Sequence, residues 1–390
     1  RYFSSASWES FSPATEEAFE SKFEKRFKRI LPYYCEAESR VGIALTGGLD
    51  TRMIMACLPE TEKLPVSYTF TGESPTILDS KLAGRVAVAC GLDHRNLQIG
   101  SDFFADFPAI ADQTVYVTDG CFGITGAHEI YFNRKARQLA PTRLTGNFGS
   151  EILRGMSTFK PLELSRQLFH KDVNHAVDSC AAGLGREVWH PVSFAAFREI
   201  PWNLFGSLAA GRSQVTFRTP YLDNELVALA FQAPEHLRRS SVAALNLVKG
   251  NNAVLGAIPT DRGRGGSLTG LACFLRRLFC DVTFKLDYIC SESLPAVLAP
   301  FDALIPYGDA IGITGLHKFL RYRLWFRTKL RAYLEEALAD ARARQLPFWN
   351  VNFLERMAAE HVNGRKNYLR EINSVLTLAA IDRLILHQRF

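Results

Sequence analysis

With 390 residues, 47% of them hydrophobic, the chain is long enough to bury one large core or two moderate ones. Its 46 basic and 40 acidic residues leave a net charge of +6, which reads as ordinary surface charge and makes no demand for nucleic acid. No apolar run approaches a membrane span and no signal peptide opens the chain, so a cytoplasmic protein without a membrane span is expected.

Residues 14–31 form the first predicted element, an amphipathic helix with Phe19, Phe23, Phe27 and Ile30 on one face. Strand and helix signals then alternate. Val41–Leu45 reads as a short strand, followed by a helix from about Thr51 to Leu58. Val66–Thr71 is a second strand, and Leu78–Cys90 a helix closed by Gly91. Arg95–Ile99 is a third strand, a helix runs around Gly126–Leu139, Thr142–Thr145 is a fourth strand, and a helix restarts near Gly149. This alternation predicts an α/β fold with a parallel, doubly wound sheet covered on both faces.

Beyond about residue 160 the strand signals fade, and the rest reads as helices joined by loops, the clearest loop being Pro259–Gly270. His317–Ala332 mixes six Lys/Arg with Phe319, Leu320, Leu324, Trp325 and Phe326, the pattern of a helix whose basic side chains reach solvent over a core seam. A membrane surface or an acidic partner is the alternative for that segment. The eight cysteines are scattered without a C-x-x-C and read as reduced core thiols. The nine histidines form no H-E-x-x-H, so no transition-metal site is indicated.

Two strand-to-helix junctions carry chemistry. The first is VGIALTGGLDTR, Val41–Arg52. Gly47 and Gly48 let a backbone approach a ligand closely, and the amides there form a cradle for an anion. Thr46 and Thr51 add hydroxyl donors. Asp50 suits an anion site only if a cation accompanies it, and Mg²⁺ bound to a carboxylate and phosphate oxygens is one solution. The other reading is a tight turn with Asp50 as a helix-start carboxylate. No Walker A or G-x-G-x-x-G signature occurs. The second junction, LTGNFGSEILRG, Leu144–Gly155, repeats the plan and carries Glu151. Two strand ends of one parallel sheet can converge on one ligand, offering Asp50 and Glu151 as a carboxylate pair for a metal.

LTGGLDTR resembles the S-G-G-x-D-S pyrophosphate loop of the asparagine synthetase family, ATP pyrophosphatases that adenylate a carboxylate. LTGNFGSEILRG is similar to that family's second loop, S-G-E-G-S-D-E-x-x-G-G. Arg218–Arg238, beginning RTPYLD, resembles its R-x-P-[FY]-L-D stretch, and GAIPTDRG stands in the place of its L-P segment. The segments fall in family order over roughly residues 40–270. The resemblance implies an adenine nucleotide alpha hydrolase-like, Rossmann-like fold. It implies residues 36–240 as the ATP pyrophosphatase core and residues 241–390 as a helical C-terminal region, within one synthetase-like unit spanning 1–390.

The chemistry so implied has two steps. ATP and a carboxylate, aspartate in the family, form an acyl-adenylate with release of pyrophosphate. Ammonia or another amine then displaces AMP. Carried over by position, Leu45, Thr46, Gly47, Gly48, Leu49, Asp50 and Thr51 hold the nucleotide phosphates, with Leu45 and Gly146 at AMP and Phe70 and Thr71 near the adenine. Asp50 and Glu151 are the implied Mg²⁺ ligands. Lys249 is the implied phosphate lysine, with Arg262 or Arg264 as substitutes.

The chain departs from the pattern at Asn147, where the family has glutamate, at Ser150, where it has aspartate, and at Thr216, where a carboxylate is frequent. These departures bear on the acceptor acid and on proton handling, with Asn147 as the catalytic-loop residue most affected. Relatives on the same fold that use other carboxylates fit them too. A degenerate nucleotide-binding scaffold and an RNA-modifying pyrophosphatase are the competing classes. The family's N-terminal glutaminase domain is absent from this chain, and the start at Arg1 points to an upstream segment or a separate glutaminase subunit as the expected nitrogen source.

Overall fold

The computed structural model describes residues 5–36, 39–58, 65–73, 77–159, 163–184, 190–293, 314–344 and 346–387; Arg1 lies outside them. The first long helix, α1 (Glu16–Cys35), starts where the Thr15 hydroxyl accepts the Ala18 amide at 3.3 Å. Glu16 and Glu17 occupy its first turn, where carboxylates favour the helix dipole. Phe19, Phe23, Phe27 and Ile30 are all buried, as their spacing requires. The helix runs past the expected end because Pro32 falls in its last turn without ending it.

The sheet and its helices follow in chain order: β1 (Val41–Ala44), α2 (Asp50–Ala56), β2 (Val66–Thr71), α3 (Leu78–Ala89), β3 (His94–Gln98), α4 (Phe107–Val117), α5 (Ala127–Leu139), β4 (Thr142–Leu144), α6 (Gly149–Arg154) and β5 (Thr216–Arg218). The strand order is β3-β2-β1-β4-β5, and every pairing is parallel. In register, Ile43 of β1 stands beside Ser67 of β2 on one side and Leu144 of β4 on the other. The chain therefore winds outward from β1 through β2 and β3, then returns to lay β4 against the far side of β1. That reversal opens a crevice above the carboxyl ends of β1 and β4, where open α/β sheets take their ligands.

β5 corrects the expectation that strands end before residue 160. Three residues are too few to show alternation, and this strand exists by pairing with β4. The basic segment 317–332 is also not one helix. A short helix at Tyr322–Trp325 gives way to turns, and a new helix begins at Arg331. Tyr322, Trp325 and Phe326 are buried as a core seam, but Arg323 is fully buried too instead of reaching water, its guanidinium donating to the Cys290 carbonyl. All eight cysteines are free thiols; Cys57 and Cys280 are buried, whereas Cys121 and Cys180 are exposed.

Two cores flank the sheet. On one face α1, α2 and α3 bring together Phe23, Phe27, Met53, Ile54, Leu82 and Val86. On the other, Phe107, Ile110 and Phe132 meet Trp325, Phe326, Leu338 and Phe353. Residues beyond 240 serve both faces. Leu247 and Val248 of α7 (Val242–Asn251) join the first core, and the helices after residue 330 build much of the second. One later helix, α8 (Gly270–Tyr288), leaves Leu271, Phe274, Leu275, Leu278, Phe279 and Val282 exposed along one side. No described helix is long and apolar enough to cross a membrane.

Candidate functional site

The loop after β1 is braced from outside. Gly47 is buried, and a Cβ there would lie 2.9 Å from Leu82, 3.0 Å from Asp79 and 3.1 Å from Asp261. Its amide donates to the Asp79 carboxylate, and its carbonyl accepts from the Asp261 amide at 3.1 Å and from Arg52 at 3.1 Å. The buried Arg52 guanidinium also reaches the Ile258 and Pro259 carbonyls, at 2.5 and 3.2 Å. The segment 258–261 is thereby strapped across the loop. Burial pushes the Asp79 carboxyl up to about 6, against the pull of the Gly47 amide and with added repulsion from Asp261. Gly48 differs: a Cβ there would meet only the Thr46 hydroxyl, at 3.3 Å, and Thr46 itself is exposed. Leu45, Leu49 and Thr51 are buried.

The loop after β4 presses onto this one. A Cβ on Gly146 would stand 2.6 Å from the Thr51 amide nitrogen, and one on Gly149 would stand 2.7 Å from Asp50 Cγ. Between them Phe148 sits buried at φ 74°, a left-handed conformation that costs a non-glycine residue roughly 1–2 kcal/mol. Asn147 is exposed, and its side-chain oxygen accepts the Thr145 hydroxyl at 2.9 Å. The RTPYLD stretch locks the arrangement from below. The Arg218 carbonyl accepts the Thr145 amide, the Thr219 hydroxyl donates to the Asn147 carbonyl at 2.8 Å, and Tyr221 donates to the Asp50 carbonyl at 2.5 Å.

Asp50 lies where the two loops meet. Its carboxylate accepts the Ser150 hydroxyl at 2.7 Å and the Arg154 guanidinium at 2.8 and 3.0 Å. Burial raises the Asp50 carboxyl above its ordinary value, while Arg154 and Ser150 pull it back. Glu151 is pushed up to about 7, mainly by burial and further by the negative charges of Asp50 and Glu199. Glu199 is itself buried, with one oxygen taken by the Thr158 amide and hydroxyl and the Phe159 amide and the other unpartnered.

The remaining expected residues are spread more widely. Thr71 is buried at the end of β2, and Phe70 stacks between Tyr68 and Phe132 at 5.6 and 4.6 Å, so its ring is committed to the sheet's packing. Lys249 is exposed in the last turn of α7. Arg262 follows Asp261, and its guanidinium lies 3.2 Å from the centre of the Phe284 ring and 3.7 Å from Asp281, both on α8. Five structural partners escaped the sequence reading: Arg52, Asp79, Arg154, Tyr221 and Asp261. Only Asp79 had no visible signal, since the other four fall inside the quoted stretches.

The sequence profile of asparagine synthase matches residues 22–243, a little over half of the chain. The chain belongs to the asparagine synthase family. This is a family of ATP-dependent amide-forming ligases, and the five-stranded parallel sheet with a helical C-terminal region is its architecture. Both junction loops and RTPYLD lie within the match; Lys249 and the strap at 258–261 lie beyond it. No curated protein matches the chain.

The family implies Mg²⁺ at Asp50, and the residues present do not fit it. Mg²⁺ demands a near-ideal octahedron of oxygens at about 2.0–2.1 Å. Both Asp50 oxygens already accept strong donors, and Gly149 is packed against the carboxylate carbon. Among the described residues no group of three or more His, Cys, Asp or Glu is placed to hold a metal ion. Glu151, the second expected ligand, is half-buried in an acidic neighbourhood with Asp50 and Glu199.

Proposed function

We propose that the protein is an AMP-forming amide ligase: it adenylates a carboxylate with ATP and passes the acyl group to ammonia or another amine. The observation that supports this best is the open mouth of the β1 loop at the sheet's reversal point, where Gly48 and Thr46 face outward while every neighbour is braced. In the first step a carboxylate oxygen attacks the α-phosphorus, and the bond to the β-phosphate oxygen breaks, its electron pair leaving with pyrophosphate. In the second, the amine attacks the acyl carbon, AMP departs with the C–O bond pair, and one proton is lost.

On this reading the main chain of residues 46–51 and the Thr46 hydroxyl line the phosphates. Leu45 and Gly146 offer backbone to AMP. Lys249, exposed at the end of α7, is the first choice for phosphate countercharge, with Arg262 or Arg264 as substitutes, although Arg262 faces Asp281 and Arg264 donates to Ser241. Glu151, held near 7, is the carboxyl suited to take the proton lost by the amine. Aspartate is the first acid to try, since the family uses it.

The Asp50–Arg154 pair favours a second reading, a scaffold that binds nucleotide without turnover. Pyrophosphate release from ATP, followed across a panel of carboxylates with ammonia, separates the two. Ligase function predicts release that depends on one acid and is abolished by Gly48→Asp, which places a carboxylate in the phosphate mouth. Calorimetric ATP binding with no acid-dependent release leaves the scaffold reading. Neither binding nor release removes both.

A further inference from the structure

The Asp50 carboxylate already has a cation, and the chain itself supplies it. One Arg154 nitrogen bonds both Asp50 oxygens and also donates to the Ser150 hydroxyl, which in turn donates to Asp50. The pair is enclosed, with Arg154 11% and Asp50 19% exposed at the side chain. Ser150 and Arg154 stand one turn apart on α6, and Gly155, at φ 56°, ends the helix directly after the arginine. The backbone of Gly149 closes one side of Asp50, and Tyr221 holds its main-chain carbonyl.

The charge count explains why these residues occur together. In the family stretch S-G-E-G-S-D-E-x-x-G-G, an aspartate stands in the place of Ser150 and a glycine in the place of Arg154. An aspartate there, beside Asp50, gathers two negative charges that a divalent ion neutralises. Here the hydroxyl removes one negative charge and the guanidinium cancels the other. Over Asp50, Ser150 and Arg154 the charges sum to zero without a metal; Glu151 and Glu199 lie outside that count. Either change alone leaves a mismatch. Serine with glycine abandons Asp50 unpaired, and aspartate with arginine leaves a surplus negative charge.

We propose that Arg154 is the resident cation of this site, a guanidinium standing where a divalent ion would join the two loops, so that Asp50 is neutralised and the loops are held together without metal. The proposal needs no turnover and stands apart from the ligase reading.

Thermal denaturation of the full chain in EDTA, Mg²⁺ or Mn²⁺, together with Mn²⁺ binding followed by electron paramagnetic resonance, tests it. The wild-type midpoint is expected to be the same in all three solutions, and wild type is expected to show no Mn²⁺ binding that Asp50→Asn removes. Ser150→Asp combined with Arg154→Gly is expected to melt lower in EDTA and to recover in Mn²⁺, with binding that adding Asp50→Asn abolishes. Arg154→Lys, which keeps a cation in place, is expected to remain indifferent to metal. Wild-type Mn²⁺ binding that Asp50→Asn removes overturns the proposal, as does a double variant that folds but gains no response to Mn²⁺. If the double variant does not fold, the wild-type and Arg154→Lys measurements decide.

Discussion

The loops after β1 and β4 share a plan of strand, threonine, glycine-bearing turn and helix, yet their glycines serve different ends. In the first loop Gly47 is packed on three sides by Leu82, Asp79 and Asp261, while Gly48 opens outward. In the second, Gly146 and Gly149 are both pressed onto the first loop's backbone and onto Asp50. Three of these four glycines exist so that two chain segments can touch, and one leaves room for something else. A glycine-rich turn at a sheet's ligand end is therefore part scaffold and part mouth, and its neighbours decide which.

The contrast is most severely tested at the point where the loops are pinned. Arg154→Ala strands Asp50 without its counter-charge and is expected to cost about 3–5 kcal/mol in urea denaturation, the range for breaking a buried pair. Adding Asp50→Asn to that variant should restore much of the loss. A cost under about 1 kcal/mol would class the pair with exposed salt bridges and detach the second loop from the first. Next comes Gly146→Ala, whose new Cβ would meet the Thr51 amide nitrogen at 2.6 Å. Overpacking against backbone predicts a loss of about 1–3 kcal/mol.

A comparable effect concerns pH. The Glu151 carboxyl rises from an ordinary 4.5 to about 7 in the folded chain. Between those values the native state binds more protons than the unfolded one, so stability is greatest below the lower value and declines as pH rises through the upper one. Glu151→Gln is expected to flatten that decline, matching wild type near pH 4 and exceeding it at pH 8 by about 3 kcal/mol. Equal slopes for both proteins would show that Glu151 titrates normally. The least effect belongs to Gly48→Ala, expected within about 0.5 kcal/mol of wild type because its Cβ meets only the Thr46 hydroxyl. A loss as large as that of Gly146→Ala would erase the distinction between mouth and scaffold.

Much of this architecture was legible in the residues. Phe19, Phe23, Phe27 and Ile30 announce a helix face, and Val66–Thr71 is a strand in both readings. The two Thr-Gly junctions mark the strand ends that the sheet brings together. β5 was not legible, because three residues carry no periodicity and this strand is defined by its neighbour. Arg323 was read as a solvent-seeking cation, yet the Cys290 carbonyl, 33 residues earlier in the chain, accepts from it in the interior.

The sequence by itself determined the alternation of elements, the family and the places where a ligand can approach, because hydrophobic period and glycine position are local properties of the chain. It did not determine what each charged group in the site is for. Asp50 is indistinguishable from a metal ligand until Arg154, 104 residues further on, is seen to hold it. Asp79 gives no sign of its bond to the Gly47 amide until α3 is laid against the loop. Charge partnership is decided by distance in space and by exclusion of water, and only the tertiary structure sets either.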